Sequence, residues 1–348
     1  MVPDHHHHTV DSTTIVVVSS HFDMQPIFLL SLPRSGSTLV QRVLASHPHI
    51  ATVSEPWFLL PLIYTLRDEG IYAEYNHHSL TAAVEDLCRQ LPGGESHYRS
   101  EIRSFALRLY SSLSPDEETR YFLDKTPRYH LVVDDLFSMF PDGRFLFLWR
   151  NPLAVVSSMV ETWQKGHWTL HPYQVDLFRG LPNLVQSFSN HQDRACGLRY
   201  EELVSGDVSD WTPVYEYLGL DFDGSELERF ARVELHGRMG DPRGSRSASL
   251  APGRADKWHK TFHNAFRKSW CRRYLRWIGA DRLAVMGYDL GALLREVERI
   301  RTTPADLGPD VLRASYGWGV QGIRAMAVSG HQAFGDRFAR AWTAVMAR

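Results

Sequence analysis

A short loop of small and basic residues follows the first apolar run of the chain, Pro26 to Leu30. The loop has the sequence PRSGST, at residues 33–38, and a helical pattern comes directly after it. N–H groups at the start of a helix have no acceptor within the helix and lie at the positive end of its dipole. The pattern therefore predicts an anion-binding site, to which we assign Arg34, Ser35, Gly36, Ser37, Thr38 and Leu39.

This loop departs from the common triphosphate-binding pattern G-x-x-x-x-G-K-[ST]. When the pattern is aligned on Gly36, Ser31 stands where the first glycine belongs and Ser37 stands where the lysine belongs. The cation is instead Arg34, inside the loop. Only the glycine and the last hydroxyl, Thr38, are retained, so the loop is not an ordinary site for a triphosphate with magnesium.

A second basic residue follows another apolar run, Arg144 to Trp149. Triphosphate hydrolases carry a magnesium-binding aspartate at the end of a later strand, whereas this chain has Arg150 there. An arginine in that position binds an anion and not a metal ion. Asn151 and Pro152 are typical of a helix cap and first turn. Ser158 follows about two turns into that helix, on a face from which it can share one phosphate with Arg150.

These two segments together resemble the sulfotransferases that use 3′-phosphoadenosine 5′-phosphosulfate (PAPS). In that family the pattern P-[KR]-S-G-[ST]-[TS] binds the 5′-phosphosulfate, and an arginine with a serine eight residues later binds the 3′-phosphate. Residues 33–38 and the pair Arg150 and Ser158 correspond to these motifs, in the same order. The resemblance covers about Gln25 to Phe262. It implies PAPS as donor, 3′-phosphoadenosine 5′-phosphate (PAP) as product, and no required metal.

Further residues correspond to cofactor contacts of the same family. Tyr200 resembles a tyrosine that lies near the adenine and the 3′-phosphate, although a core tyrosine is the alternative. Lys125, after a short strand, is similar to a lysine that supplies charge beside Arg34 at the transferring group. The family's basic loop ahead of a Trp-Lys helix is less well matched, because its Arg-Lys-Gly triplet is absent. A solvated basic loop is the alternative there, and the candidates are Arg246, Arg254 and Lys257, with Arg254 placed first.

The base for sulfuryl transfer is a separate question. The reaction needs in-line placement, positive charge near the transferring group and a base for the acceptor proton. Cytosolic members of the family often have a histidine where this chain has Pro127. Another branch, resembling tyrosylprotein and several bacterial sulfotransferases, uses a glutamate in a segment like that of Glu55, where desolvation would make a carboxylate a stronger base. Helix capping is the alternative for Glu55, and His130 and His47 are reserve candidates.

The acceptor is not specified by any motif. Aromatic residues on several segments are candidates to line its pocket, and the stretch from Trp163 to Tyr173 is a candidate lid. We favour a hydroxyl of a carbohydrate or a small natural product. The aromatic candidates are Trp57, Trp163, Trp168, Tyr173 and Phe178.

The elements that must position these residues follow the strand-turn-helix order of a parallel α/β sheet. Further strand ends are predicted at Phe122-Leu123 and Gly197 to Tyr200. We therefore predict an α/β protein with a P-loop-like three-layer fold, in which helices flank a central parallel sheet and helical additions follow. Residues 1–24 are expected to be a disordered or tag-like terminus, 25–300 the sulfotransferase domain and 301–348 a helical C-terminal extension.

Composition narrows the classes of partner. Of the 348 residues 43% are hydrophobic, and 38 Lys and Arg nearly balance 40 Asp and Glu, so a net charge of -2 gives no general attraction to nucleic acid polymers. Three cysteines do not form a disulfide framework or a metal cluster, which favours the cytoplasm. No apolar run approaches the roughly 20 residues of a membrane span.

A homodimer through the helical tail is a further expectation. A kinase-like phosphoryl transferase or a non-catalytic nucleotide-binding protein are the alternative functions.

Overall fold

A computed structural model describes most of the chain and all of the predicted strands. The described residues are 24–68, 71, 73–114, 117–237, 239, 249–250, 252–317 and 319–320. The predicted N-terminal segment 1–24 lies almost wholly outside them, as do residues 321–348 of the predicted C-terminal extension. Arg246 and the side chain of Arg254 also lie outside the described part.

The centre of the protein is a five-stranded parallel sheet in the order β2-β3-β1-β4-β5. β1 pairs on one side with β3 and on the other with β4. The connection from β1 leads toward one edge of the sheet, to β2, whereas the connection from its neighbour β4 leads toward the other edge, to β5. Ligands of parallel sheets bind where the connections diverge in this way, at the carboxyl ends of the strands. The strands are β1 (Gln25–Leu30), β2 (Ile50–Thr52), β3 (Tyr121–Asp124), β4 (Arg144–Trp149) and β5 (Ala195–Arg199).

Helices cover both faces of this sheet. Successive side chains of a strand point to opposite faces, so Phe28 and Leu30 pack on one side of β1 while Ile27 and Leu29 pack on the other. The first face is covered by α2, α4–α7 and α11–α13, and the second by α1 and α9. The prediction of a three-layer α/β fold is thus confirmed. The helices are α1 (Ser37–Leu44), α2 (Leu59–Tyr64), α3 (His77–Gln90), α4 (Gly94–Ser112), α5 (Val133–Met139), α6 (Pro152–Trp163), α7 (Leu181–Asn190), α8 (Tyr200–Leu203), α9 (Val208–Leu218), α10 (Glu226–Arg229), α11 (Ala265–Ile278), α12 (Ala280–Val285) and α13 (Leu290–Arg299).

The elements differ from the sequence-based expectation in a few places. β2 was not predicted, because three residues are too few to show an alternating pattern. The predicted fourth strand ends at Arg199, and Tyr200 begins α8. A further helix at residues 307–317 packs against α11, where the buried Asp310 accepts hydrogen bonds from Arg267 Nε and Asn264 Nδ2, both at 2.7 Å. This part of the predicted C-terminal extension is therefore attached to the main body.

Asp124, the last residue of β3, fixes the elements that lead into the site. Its carboxylate is fully buried and accepts hydrogen bonds from the hydroxyls of Tyr110 at 2.7 Å, Tyr129 at 2.9 Å and Thr126 at 3.0 Å. These bonds tie α4 and the 3-10 turn Pro127–Leu131 to the end of the strand. Burial raises the pKa of Asp124 to about 6. The next residue along the chain, Lys125, is thereby held at the sheet edge.

The raised pKa of Asp124 predicts a specific dependence of stability on pH. Between its ordinary pKa of 3.8 and about 6 the folded state binds the additional proton. The contribution of this group to the free energy of unfolding is therefore complete below pH 4 and is lost as the pH rises through 6. We expect the difference in unfolding free energy between the wild type and Asp124→Asn, measured in urea from pH 4 to pH 7, to decrease by up to about 3 kcal/mol. Parallel profiles for the two proteins would contradict this.

Candidate active site

A cavity of about 340 Å³ lies at the carboxyl ends of β1 and β3, next to the strand reversal. Side chains from the loop after β1, from the segment after β2, from the turn after β3 and from the end of α6 line it. Tyr173 and Asp176, and also Met239, lie farther along the chain, so the walls are assembled from six separate parts of the sequence. The lining residues are Pro33, Arg34, Gly36, Ser37, Thr38, Glu55, Trp57, Pro127, Arg128, Trp163, Tyr173, Asp176 and Met239.

The loop between β1 and α1 depends on a glycine. Gly36 has a φ of 93°, and a Cβ atom built on it would lie 2.2 Å from Cε2 of Tyr200. The left-handed backbone and this close approach both require glycine at this position. Arg34 also has a positive φ, of 70°. The loop thus packs directly on the ring of Tyr200, which is itself buried.

The guanidinium of Arg34 is positioned by α6. Its Nε donates to Ser158 Oγ and one terminal nitrogen donates to Thr162 Oγ1, both at 3.2 Å. The ring of Trp163 lies below it, with the guanidinium carbon 5.4 Å from the ring centroid. That Ser158 shares a phosphate with Arg150 stays a prediction, and its contact with Arg34 is an additional one. Thr162 was missed, although it lies one helical turn from Ser158 on the same face and could have been found by that spacing.

Arg150 lies directly after β4 and joins the loop to Tyr200. One terminal nitrogen donates to the carbonyl of Arg34 at 2.8 Å, and the guanidinium carbon is 4.4 Å from the centroid of the Tyr200 ring. Burial lowers the pKa of Arg150 from its ordinary value. Its Nε is buried and has no hydrogen-bond partner within the described structure. A buried cationic donor of this kind is chemically suited to an anion such as a phosphate.

Glu55 and Lys125 form an ion pair on the cavity wall. Lys125 Nζ lies 2.6 Å from Glu55 Oε1 and 3.4 Å from Thr38 Oγ1. The side chain of Lys125 is 1% exposed and that of Glu55 is 8% exposed. The indole N–H of Trp57 donates to Glu55 Oε2 at 3.0 Å. Both carboxylate oxygens are therefore held in fixed directions. A carboxylate so placed can accept a proton beside the loop after β1. The ammonium group of Lys125 contacts both this carboxylate and Thr38 of the loop.

Other sequence-based candidates lie elsewhere. His130 is fully buried beside Asp176, and His47 is buried against Tyr215, so neither is among the residues that line the cavity. Lys257 is exposed on the 3-10 segment Pro252–Phe262. Trp168 and Phe178 line a separate aromatic groove of about 450 Å³. Trp57, Trp163 and Tyr173 do line the cavity.

The sequence comparison gives the family of this protein. The model of the sulfotransferase family matches residues 26–224, a range that contains the loop, Glu55, Lys125 and Arg150. The chain belongs to the sulfotransferase family. This sulfotransferase is 29% identical over 246 residues to nodulation protein NoeE of Sinorhizobium fredii. The alignment covers 62% of the chain and 57% of NoeE, so it spans less than two thirds of that relative.

Solved structures that resemble this sulfotransferase carry the same family name. The sulfotransferase domain of the Synechococcus PCC 7002 olefin synthase is 25% identical, with 67% of this chain and 87% of that domain covered and a TM-score of 0.45. The sulfotransferase domain from the curacin biosynthetic pathway is 21% identical, with 73% and 97% covered and a TM-score of 0.48.

Neither a membrane-spanning helix nor a metal-binding cluster occurs among the described residues. No helix among them is long and apolar enough to cross a membrane. In the same part of the chain no group of three or more His, Cys, Asp and Glu side chains has an arrangement that could hold a metal ion.

The contact between Gly36 and Tyr200 predicts the effect of adding one methyl group. Gly36→Ala must accommodate a positive φ and a collision with a buried ring, and we expect a loss of about 3 kcal/mol in unfolding free energy. Gly219→Ala is the matched control, because Gly219 also has a positive φ, of 64°, but open space around its Cβ position. It should lose only about 1 kcal/mol. Equal losses in urea denaturation would contradict the packing argument.

Proposed function

We propose that this enzyme transfers a sulfuryl group from PAPS to an acceptor hydroxyl by in-line attack. The observation that carries the proposal is the joint placement of a basic anion loop and of Arg150 after β4, where a magnesium-dependent triphosphate enzyme has an acidic residue. Membership of the sulfotransferase family supports it. PAPS supplies the transferable group and carries phosphates at two separate ends.

The donor contacts are assigned to the residues around the loop. The N–H groups at the start of α1, with the hydroxyls of Ser35, Ser37 and Thr38, face the 5′-phosphosulfate in this proposal. The Nε of Arg150, which has no hydrogen-bond partner among the described residues, and the ring of Tyr200 serve the 3′-phosphate and the adenine. Ser158 acts on the donor side through its bond to Arg34. Leu39, the third residue of α1, donates its N–H to the carbonyl of Gly36 at 3.0 Å, so Leu39 and Arg254 both remain sequence-based candidates only.

Glu55 is the proposed general base. It takes the proton of the acceptor hydroxyl as the new O–S bond forms and the S–O bond to the departing phosphate breaks. Lys125 and Arg34 place positive charge beside that phosphate, which offsets the charge that develops there. The contact of Lys125 with both Glu55 and Thr38 couples the base to the loop. The acceptor is proposed to be a carbohydrate or a small natural product, while the cytoplasmic location and a homodimer stay predictions.

Binding of PAP tests the donor assignment. We expect PAP to raise the melting temperature of the protein more than ATP with magnesium does, because a ligand that binds only the native state stabilises it. Arg150→Ala should weaken PAP binding, measured by calorimetry, about 10- to 100-fold through loss of charged hydrogen bonds. Arg144→Ala, at the opposite end of β4, is the control and should leave the affinity unchanged. No shift with PAP, or stronger binding of ATP with magnesium, would favour a phosphoryl transferase.

Substitution of Glu55 tests the base. Glu55→Gln keeps the size of the side chain and can still accept from Lys125, so PAP binding should persist. Loss of the proton acceptor should lower kcat about 100-fold or more, since general bases contribute roughly that much. Glu85→Gln, an exposed residue of α3, serves as control. Wild-type turnover by Glu55→Gln, followed with labelled PAPS, would remove Glu55 from this role.

A further inference from the structure

The cavity wall carries a second ion pair, that of Arg128 with Asp176, which the proposed sulfuryl transfer does not use. Asp176 Oδ2 accepts a hydrogen bond from Arg128 at 3.3 Å. Both residues line the same cavity as Arg34 and Glu55. Asp176 is 1% exposed, whereas the side chain of Arg128 is 37% exposed. The cavity therefore contains a fixed donor and a fixed acceptor in addition to the groups assigned to the reaction.

The backbone is built to hold Asp176 in this place. Asp176 belongs to the π-helix Val175–Gly180, a rare geometry that occurs often at functional sites. His130 Nε2 lies 2.8 Å from Asp176 Oδ1 and fixes the carboxylate through the oxygen that Arg128 does not contact. A Cβ on Gly180 would lie 2.7 Å from the His130 ring, so this glycine makes the approach of the two residues feasible. His130 is thus a positioning residue for Asp176.

Aromatic rings form the remaining walls on this side. Trp163 and Tyr173 pack together with ring centroids 4.9 Å apart, and Trp57 lines the same cavity. Aromatic faces carry partial negative charge and bind C–H groups well. A ligand bound here meets apolar faces together with one pair of opposite charges. Because the guanidinium and the carboxylate offset each other, the pair suits a neutral ligand with several hydroxyls.

We infer that Arg128 and Asp176 are the acceptor-recognition pair and that the acceptor is a saccharide, an inference that rests on the proposed sulfuryl transfer. A hydroxyl both donates and accepts hydrogen bonds, so neighbouring hydroxyls of a sugar ring satisfy Asp176 and Arg128 together. The ring C–H groups pack on Trp57, Trp163 and Tyr173. The hydroxyl that is sulfated then lies toward Glu55.

A phenol fits this arrangement poorly. A phenol has one hydroxyl, and the reaction consumes it. Its apolar ring would cover the charged pair without replacing the hydrogen bonds of the water that it displaces. Sites built to bind a polar group reject analogues that lack it, because the buried partners are left unpaired. The pair therefore selects for saccharides over phenols, including tyrosine side chains.

The test measures acceptor kinetics with labelled PAPS and two panels of probes. One panel contains chitobiose, cellobiose and lactose, and the other contains p-nitrophenol and N-acetyltyrosinamide. We expect transfer to at least one saccharide. Arg128→Gln should raise the KM for that saccharide about 10-fold or more, with kcat changed less than about threefold and the thermal shift with PAP retained. Asp176→Asn should have the same effect in the same direction.

The control is Arg179→Gln, an exposed residue of the same π-helix that does not line the cavity, and its KM should equal that of the wild type. Transfer to phenols alone, or an unchanged KM in Arg128→Gln, would overturn the assignment of this pair and leave sulfuryl transfer intact. No transfer to either panel together with no thermal shift by PAP would overturn the proposed function as well. Arg128 is half-exposed, so its variant keeps the test valid if Asp176→Asn is poorly folded.

Discussion

The candidate site depends on one close contact, in which the loop after β1 packs at Gly36 against the ring of Tyr200. Only a residue without a side chain fits at Gly36, and the same ring carries the guanidinium of Arg150 on its face. Arg150 in turn holds the carbonyl of Arg34. A single aromatic ring from α8 thus fixes the loop after β1 relative to the residue after β4, across the point where the strand order reverses.

This arrangement brings like charges together, which costs free energy in the unliganded protein. Burial, and to a smaller extent the neighbouring Arg34, lower the pKa of Arg150. Lys125 has Glu55 as counter-ion, and the hydroxyls of Ser158 and Thr162 and the ring face of Trp163 are among the contacts of Arg34. Arg34, Lys125 and Arg150 thus gather at one edge of the sheet, and such an accumulation of basic side chains favours an anionic ligand.

The sequence was sufficient to predict those candidate site residues that directly follow a strand in the chain. The loop after β1 and Arg150 after β4 were predicted because apolar runs mark the strands, and parallel strands put such residues at one sheet edge. The bond from Arg34 to Ser158 was not predicted, since an eight-residue spacing fixes a helix face but not every arginine that the face meets. Asp176 was missed because its position requires a π-helix and a contact with His130 from a distant segment. β2 is too short to predict.

The hydrogen bonds that orient Arg34 have a consequence for folding. They join residues separated by 124 and 128 positions in the chain, and the bond from Arg150 to the Arg34 carbonyl spans 116. Contacts of such long range form only when the segments between them are already organised. A fragment that ends before α6 would contain the whole loop motif and yet lack the side chains that orient its arginine. The motif is therefore a property of the sequence, whereas the candidate anion site belongs to the assembled domain.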